Sequence, residues 1–404
     1  MIEVCDVLII GAGPAGLAAA ARLKQLGAGR VIVVERETAA GGVPRHCRHS
    51  PFGMREFRRV LGGPAYARAL AERATNMGAE IRLGTTVVGI ERNGDLAVAL
   101  TSDTGVRRLK PKRILLATGT REKTRAARFL TGDRPLGILN TGALQSYAEK
   151  GLAPFRRPLI LGSELVALSS LLTCRGLGAR PVMMIEERPA PLARASFMFL
   201  PRLLGVPVRC GVRIADIHGQ KRVEGVRLVL ADGSEMDLAC DGIAISGHFT
   251  PEASLARAAG LEIDPGTGGP VIDQFGRTSD ARIFAAGNLL HPVETAGWCW
   301  AEARRLAGFL AISLSDQLPE GTVASVHPGP GIAYVVPQRL VRGGTGLKQL
   351  QLRATEPVRG RLATEDKGKR TLSRRRALFP ERRLLLPVPD LTQAGGNIVI
   401  GIED

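Results

Sequence analysis

The sequence predicts an α/β fold made of two strand–turn–helix units, with a small β-rich domain near the C-terminal end. Three observations predict it. An apolar strand runs into a glycine-rich turn and an Ala-rich helix over residues 4–26, and the same succession recurs over 158–186. Short alternating runs separated by Pro and Gly fill the last part of the chain. At 404 residues the chain is too long for one compact core, so two or three domains are expected.

Residues 4–10 (VCDVLII) read as a buried parallel strand, being apolar and β-branched. The strand ends in Gly11-Ala12-Gly13-Pro14-Ala15-Gly16, and residues 17–26 read as a helix. Gly11 permits the tight turn, Gly13 lets a pyrophosphate approach the backbone, and Gly16 lets helix and strand pack closely. The helix N-terminus then offers free N–H groups and the positive end of its dipole to phosphate. A second strand over 30–34 ends in Glu35, 24 positions after Gly11, where a carboxylate can accept hydrogen bonds from ribose hydroxyls. The glycine pattern alone is weak evidence. With strand, helix, second strand and acid all in place it specifies a dinucleotide site, a Rossmann-like unit.

Arg36 follows, then Gly41-Gly42, and this acidic-then-double-glycine pattern resembles the FAD-binding half of the pyridine nucleotide-disulfide oxidoreductase superfamily. Two further segments are similar to it. Residues 113–119 (RILLATG) resemble its strand-and-ATG motif, and residues 281–288 (ARIFAAGN) resemble the late strand whose last residue meets the flavin ribitol. That residue is usually Asp and here is Asn288, an amide that can still hydrogen-bond a hydroxyl but brings no charge. The resemblance implies FAD held by Gly11, Gly13, Pro14, Ala15, Gly16, Glu35, Arg36, Gly41, Gly42, Val88, Ala117, Thr118, Gly119, Gly287, Asn288 and Thr295. It also implies a helix over about 295–312 aimed at the pyrimidine end of the flavin, where its dipole favours the anionic reduced form.

Residues 158–161 (PLIL) lead to Gly162-Ser163-Glu164-Leu165-Val166-Ala167, and 181–185 (PVMMI) end in Glu186. This resembles the inserted NAD-type half of the same superfamily. The implied organisation is an FAD domain over 1–119 and 246–320, an inserted NAD(P)-type domain over 120–245, and a small basic β domain over 321–404. In the second unit the second glycine position holds Glu164 and the third holds Ala167. Ala is accepted at the third, whereas a carboxylate beside a pyrophosphate repels it unless turned away or paired. Two readings stay open for Gly162, Glu164 and Glu186: a structural relic, or a working nicotinamide site that Glu186 would suit to NAD over NADP.

After the double glycine comes Val43-Pro44-Arg45-His46-Cys47-Arg48-His49, with one Cys where disulfide reductases of the superfamily carry a pair. One thiol cannot form an internal exchangeable disulfide, so a disulfide reductase is not expected. The six Cys (5, 47, 174, 210, 240, 299) show no CxxC, and neither a disulfide scaffold nor a metal centre is expected. The run over 41–70 resembles the flavin subunits of heteromeric dehydrogenases acting on opines, hydroxyproline, proline and related amines, and of hydrogen cyanide synthase. Residues 288–300 (NLLHPVETAGWCW) are more similar to a sister group that accompanies glycerol-3-phosphate dehydrogenases. His46, Cys47 and His49 are the candidate catalytic residues beside the flavin, as acid, base or modulator. The alternative is that they orient the loop by hydrogen bonding. His291, Glu294 and Thr295 lie on the other flavin-facing loop.

The chain carries 55 Lys and Arg against 38 Asp and Glu, a net +17, and residues 339–383 hold 14 against 4, ten of the seventeen. Short runs at 332–339, 347–352, 382–388 and 397–400 suggest an antiparallel β-sandwich, with the basic stretch 367–376 as a hairpin connection or exposed edge. The sister group also carries a small appended β domain. Without helix-turn-helix spacing, zinc finger or RNP aromatics, nucleic-acid binding is not expected. The tail reads instead as a docking face for an acidic subunit or an anionic membrane surface. With no basic leader and no run of ~20 apolar residues, no transmembrane segment and a cytoplasmic location are expected. The expected function is an FAD-dependent oxidoreductase, the flavin subunit of a heteromeric dehydrogenase for a small amine, opine or glycerol phosphate. The alternative is an FAD-binding assembly or electron-transfer subunit that turns nothing over alone.

Overall fold

The computed structural model describes residues 3–344, 346–389 and 396–404. At its centre the strand Glu3–Ile10 pairs in parallel with Val31–Val34 on one side and with Gly105–Leu116 on the other. Val31–Val34 is buried at every position, which is why four β-branched residues suffice for it. Glu80–Arg82 extends this sheet beyond Val31–Val34. Past Gly105–Leu116 the strands Ala97–Ser102 and Thr86–Glu91 add an antiparallel meander, and the late strand Ile283–Ala285 returns to pair with Gly105–Leu116. Ile283 meets Ile114 in this way, so residues far apart in the sequence complete one sheet.

The helix Pro14–Gln25 starts on a proline, whose fixed φ and missing N–H suit the first turn. It buries Ala15 to Ala21 against the long helix Ala296–Ser313, through Ala303, Leu306 and Ala307. Small residues on one helix let the two backbones approach closely. The expected late helix is thus present, shifted by one residue at each end.

A second, five-stranded parallel sheet runs Val208–Cys210, Met183–Glu186, Pro158–Leu161, Gly242–Ile245, Ile138–Asn140. Its helix Leu165–Gly176 follows Pro158–Leu161, as the helix Pro14–Gln25 follows Glu3–Ile10. A three-stranded antiparallel sheet, Arg213–His218, Gly225–Val229 and Glu235–Ala239, covers one face. The segments Thr120–Glu122 and Phe249–Pro251 pair antiparallel where the chain leaves the first sheet and returns to it.

The C-terminal region is two sheets around their own apolar cluster, which includes Val335, Leu340, Leu352, Leu362, Leu378 and Ile400. Its pairing is antiparallel except at one place. Thr322–Pro328 and Gly396–Glu403 run side by side in parallel, which departs from the all-antiparallel sandwich expected. The reason is topological: the two strands lie at opposite ends of the region and are joined through the whole of it, so no hairpin constrains their direction. The basic stretch forms the hairpin between Val358–Asp366 and Lys369–Leu372, and the latter is an exposed edge strand.

Candidate functional site

The first glycine turn is held by backbone geometry that larger residues could not adopt. Gly11 has φ of 105°, and a Cβ on it would stand 2.5 Å from the Ala117 carbonyl oxygen. A Cβ on Gly16 would stand 1.9 Å from the Gly11 oxygen, so helix and strand touch there. Beside Gly13, by contrast, a Cβ would meet nothing within 4 Å. No side chain caps the helix, so its first-turn amides are available to an anion. Glu35 stands over this turn: its carboxylate accepts the Ala12 amide at 2.9 Å and the Glu37 amide at 3.1 Å. The Gly41 amide donates to the Ala12 oxygen at 2.8 Å, which folds the double glycine onto the same turn. An open space, unpaired helix amides and a fixed carboxylate fit the phosphates and ribose of FAD.

Most of the remaining expected cofactor residues converge here. The Ala117 amide donates to Ile10, and a Cβ on Gly287 would stand 2.8 Å from that of Ala15. Thr118 and Gly119 mark the crossing strand, the Thr118 hydroxyl donating to the Glu252 oxygen and the Gly119 oxygen accepting the Glu252 amide. Arg36 is exposed and 3.7 Å from Glu37. Val88 is exposed on Thr86–Glu91, and the chain leading to it runs beside the acid, the Thr85 amide donating to the Glu35 oxygen at 2.8 Å.

The three catalytic candidates lie on and just after the short helix Val43–His46, and each is engaged by the second unit. His46 Nδ1 is 2.5 Å from a Glu149 carboxylate oxygen. The Cys47 thiol is buried and donates to the Gln145 amide oxygen at 3.4 Å. Burial pushes this thiol up to about 12, only partly offset by the Gln145 bond, so it stays protonated at neutral pH. His49 Nε2 is 2.5 Å from the Ser169 hydroxyl, which also accepts from Gln145 at 2.7 Å. Burial lowers the His49 pKa, so its imidazole is neutral at pH 7. Cys47, Gln145, Ser169 and His49 thus form one hydrogen-bonded chain between the flavin-side loop and the helices Thr141–Glu149 and Leu165–Gly176.

The late loop is fixed just as tightly. Asn288 donates to the Glu294 oxygen at 3.1 Å and accepts its amide at 2.7 Å, closing the loop on itself. Thr295 is exposed at the start of the helix Ala296–Ser313. Behind them Glu302, buried, accepts from the Gly287 amide at 3.0 Å and from Gln351 at 2.8 Å, and lies 2.8 Å from His291. Burial pushes the Glu302 carboxyl up, but the adjacent His291 and the other donors reverse that and hold it at about 2. Arg353 and Arg383 both reach Glu294, and Trp298 lies between the guanidinium groups of Arg55 and Arg383, at 3.9 and 4.5 Å from the ring centroid.

The second glycine turn repeats the backbone of the first and differs in its contents. Gly162 has φ of 125°. The Glu164 side chain folds back into the turn, buried, with one carboxylate oxygen accepting the Ser163 amide at 3.1 Å and the other the Ser246 hydroxyl. Glu186 accepts the Ser163 hydroxyl at 2.5 Å and the Arg188 amide at 3.1 Å. Arg128, whose guanidinium donates to the Ser246 oxygen at 2.6 Å, is the cation among these acids.

Gln145, Ser169, Gln351, Arg353, Glu381 and Arg383 were not foreseen from the sequence. They are ordinary polar residues without a motif, and their contacts span tens to hundreds of positions. Among the described residues no group of His, Cys, Asp and Glu is arranged to hold a metal, and no helix is long and apolar enough to cross a membrane.

Residues 5–303 match the family described as pyridine nucleotide-disulphide oxidoreductase. The first of two opine oxidase components considered, that of Agrobacterium tumefaciens, is 28% identical over 76% of this chain and 64% of that protein. The alpha chain of sarcosine oxidase from Rhizobium meliloti is 28% identical over 82% of this chain but only 33% of that protein. The chain therefore spans less than two thirds of the length of both relatives. Among solved structures, thioredoxin reductase of T. acidophilum superposes with a TM-score of 0.64 at 23% identity, covering 77% of this chain and 98% of that one, a likeness of fold.

Proposed function

Since the chain belongs to the pyridine nucleotide-disulphide oxidoreductase family, an FAD-binding oxidoreductase family, we propose that it is the flavin subunit of a heteromeric dehydrogenase for a small secondary amine of the opine or sarcosine kind. The observation that carries the flavin part is the first glycine turn, open at Gly13 and uncapped, beside the Glu35 carboxylate. The substrate class is supported by the relatives, two of which are named as opine and sarcosine oxidase subunits. Bound FAD supplies the acceptance of a hydride or electrons. The chain's residues bind and orient it. Helix amides of Pro14–Gln25 take the pyrophosphate, Glu35 takes ribose, and the start of Ala296–Ser313 brings its positive dipole end toward the isoalloxazine.

In this reading the chain is no disulfide reductase. Its flavin-side loop holds one thiol, kept protonated by burial and aimed at Gln145. We propose that Cys47, His46 and His49 are positioning residues, with no proton or electron passing through them. The same observation favours a second reading, an electron-transfer or assembly subunit, because each of these three candidates is already engaged by another side chain.

The test is anaerobic reduction of the FAD-loaded chain by an opine, sarcosine, proline or glycerol 3-phosphate, alone and with its co-purifying subunit. Amine-dependent bleaching of the flavin that needs the partner is expected. Reduction by glycerol 3-phosphate only would overturn the substrate class, and no reduction by any of them with the partner present would leave the electron-transfer reading standing.

A further inference from the structure

The helix Leu165–Gly176 has twelve residues and opens where a nicotinamide dinucleotide would place its pyrophosphate. Two carboxylates of the chain itself occupy that place. Glu164, at the second glycine position, is buried with its oxygens in the turn, so close that a Cβ on Gly162 would lie 2.7 Å from one of them. The other comes from 216 positions downstream. Glu381, on the loop between Arg376–Leu378 and Leu384–Pro387, accepts the Leu165 amide at 3.2 Å. Glu186, the acid that would take ribose, is engaged by Ser163, whose hydroxyl oxygen also receives the Leu192 amide at 2.9 Å. Arg128 is the cation that faces these acids, and its donated bond goes to Ser246.

We propose that the second nucleotide fold is closed to NAD(P) and serves instead as the socket that latches the C-terminal domain, with the Glu381 carboxylate standing where a pyrophosphate would. The residues present do not fit a dinucleotide: the first helical amide has its acceptor, the ribose acid is engaged, and two carboxylates face the path of an anion. The C-terminal domain bonds to the FAD side as well, through Gln351 to Glu302 and through Arg353 and Arg383 to Glu294. It therefore ties the two nucleotide folds together. This holds whichever substrate the flavin serves, and it requires that electrons leave the flavin by a route other than a nicotinamide seated in this fold.

Two measurements on the FAD-loaded full chain test it. Titration of the wild type with NADH and NADPH, followed by nicotinamide fluorescence, is expected to show no saturable binding up to 1 mM; a micromolar Kd would overturn the proposal, and this arm needs no variant. Hydrogen exchange of the segment 164–168 is expected to be slow without any nucleotide, unchanged by NADH, and about tenfold faster in Glu381→Ala with flavin absorbance retained. Glu381→Gln, which keeps an acceptor oxygen, is expected to recover part of that protection. Unchanged exchange in Glu381→Ala would overturn the latch.

Discussion

The two glycine turns of this chain share a strand, a positive-φ glycine and a helix, and differ in what meets the helix. At Gly13 there is open space and no cap. At Glu164 there is a buried side chain, and Glu381 from another domain takes the next amide. A helix N-terminus attracts a carboxylate for the reason it attracts a phosphate, since both are anions facing unpaired N–H groups. The same backbone can thus be a ligand site or an internal joint, and one residue at the second glycine position is enough to separate the two outcomes.

The sharpest way to break that comparison is to move the acid. Gly13→Glu introduces no backbone clash, because a Cβ at Gly13 meets nothing within 4 Å and its φ of −78° is open to any residue. The variant should fold. A carboxylate about 4 Å from a phosphate charge costs on the order of 4 kcal/mol near a protein surface, or about a thousandfold in Kd. The expected result is a purified chain of normal melting temperature without the flavin band near 450 nm. Full FAD occupancy in that variant would show that the second position does not decide the matter.

A second test uses the acids around the second fold. Burial pushes the Glu122 carboxyl up to about 7, against the Gly142 amide that it accepts at 2.7 Å, with the Glu164 charge adding to the rise. A raised carboxyl pKa means that the folded chain binds more protons than the unfolded one between about pH 4.5 and 7. Stability should therefore rise as pH falls from 8 toward 5, by at most about 3 kcal/mol from this group, and level off below that. Glu302 works in the opposite sense, its pKa depressed to about 2, but its contribution is lost only on further acidification. Melting curves of the wild type and Glu122→Gln across this range should differ in slope, the variant being flatter. Parallel slopes would mean that the second fold is not the acid-stabilised one.

Much of this was legible in the sequence because it is local. The turn at 11–16, the acid at 35, the double glycine and the strand at 281–288 each declare themselves within a few residues, and their order fixes the fold. Glu164 was conspicuous too, since it breaks a pattern. What meets Glu164 was not legible: Glu381 is one acid among many on a basic segment, and nothing nearby in sequence marks it as a helix cap. The role of Cys47 was equally hidden. Its neighbours His46 and His49 suggested chemistry, whereas Gln145 and Ser169, about a hundred positions away, turn the group into a joint between folds. The basic tail looked like an outward docking face, yet Arg353 and Arg383 are buried against Glu294, so part of its charge is internal.

The smallest expected effect concerns that joint. Cys47 donates one weak sulfur bond to Gln145, and its removal by Cys47→Ala should cost about 1 kcal/mol, the scale of a lost side-chain hydrogen bond and a little packing. His49→Ala removes the 2.5 Å contact to Ser169, leaves a buried hydroxyl short of a partner, and should cost somewhat more. If both residues act only by holding the flavin-side loop to the second fold, the double variant should lose less stability than the sum of the singles, because they share Gln145 and Ser169. The rate of flavin reduction at saturating substrate should fall by less than about tenfold, with an unchanged pH profile. A loss of a thousandfold, or the disappearance of one limb of that profile in His49→Ala alone, would put a proton-transfer group at the joint and return His49 to the chemistry.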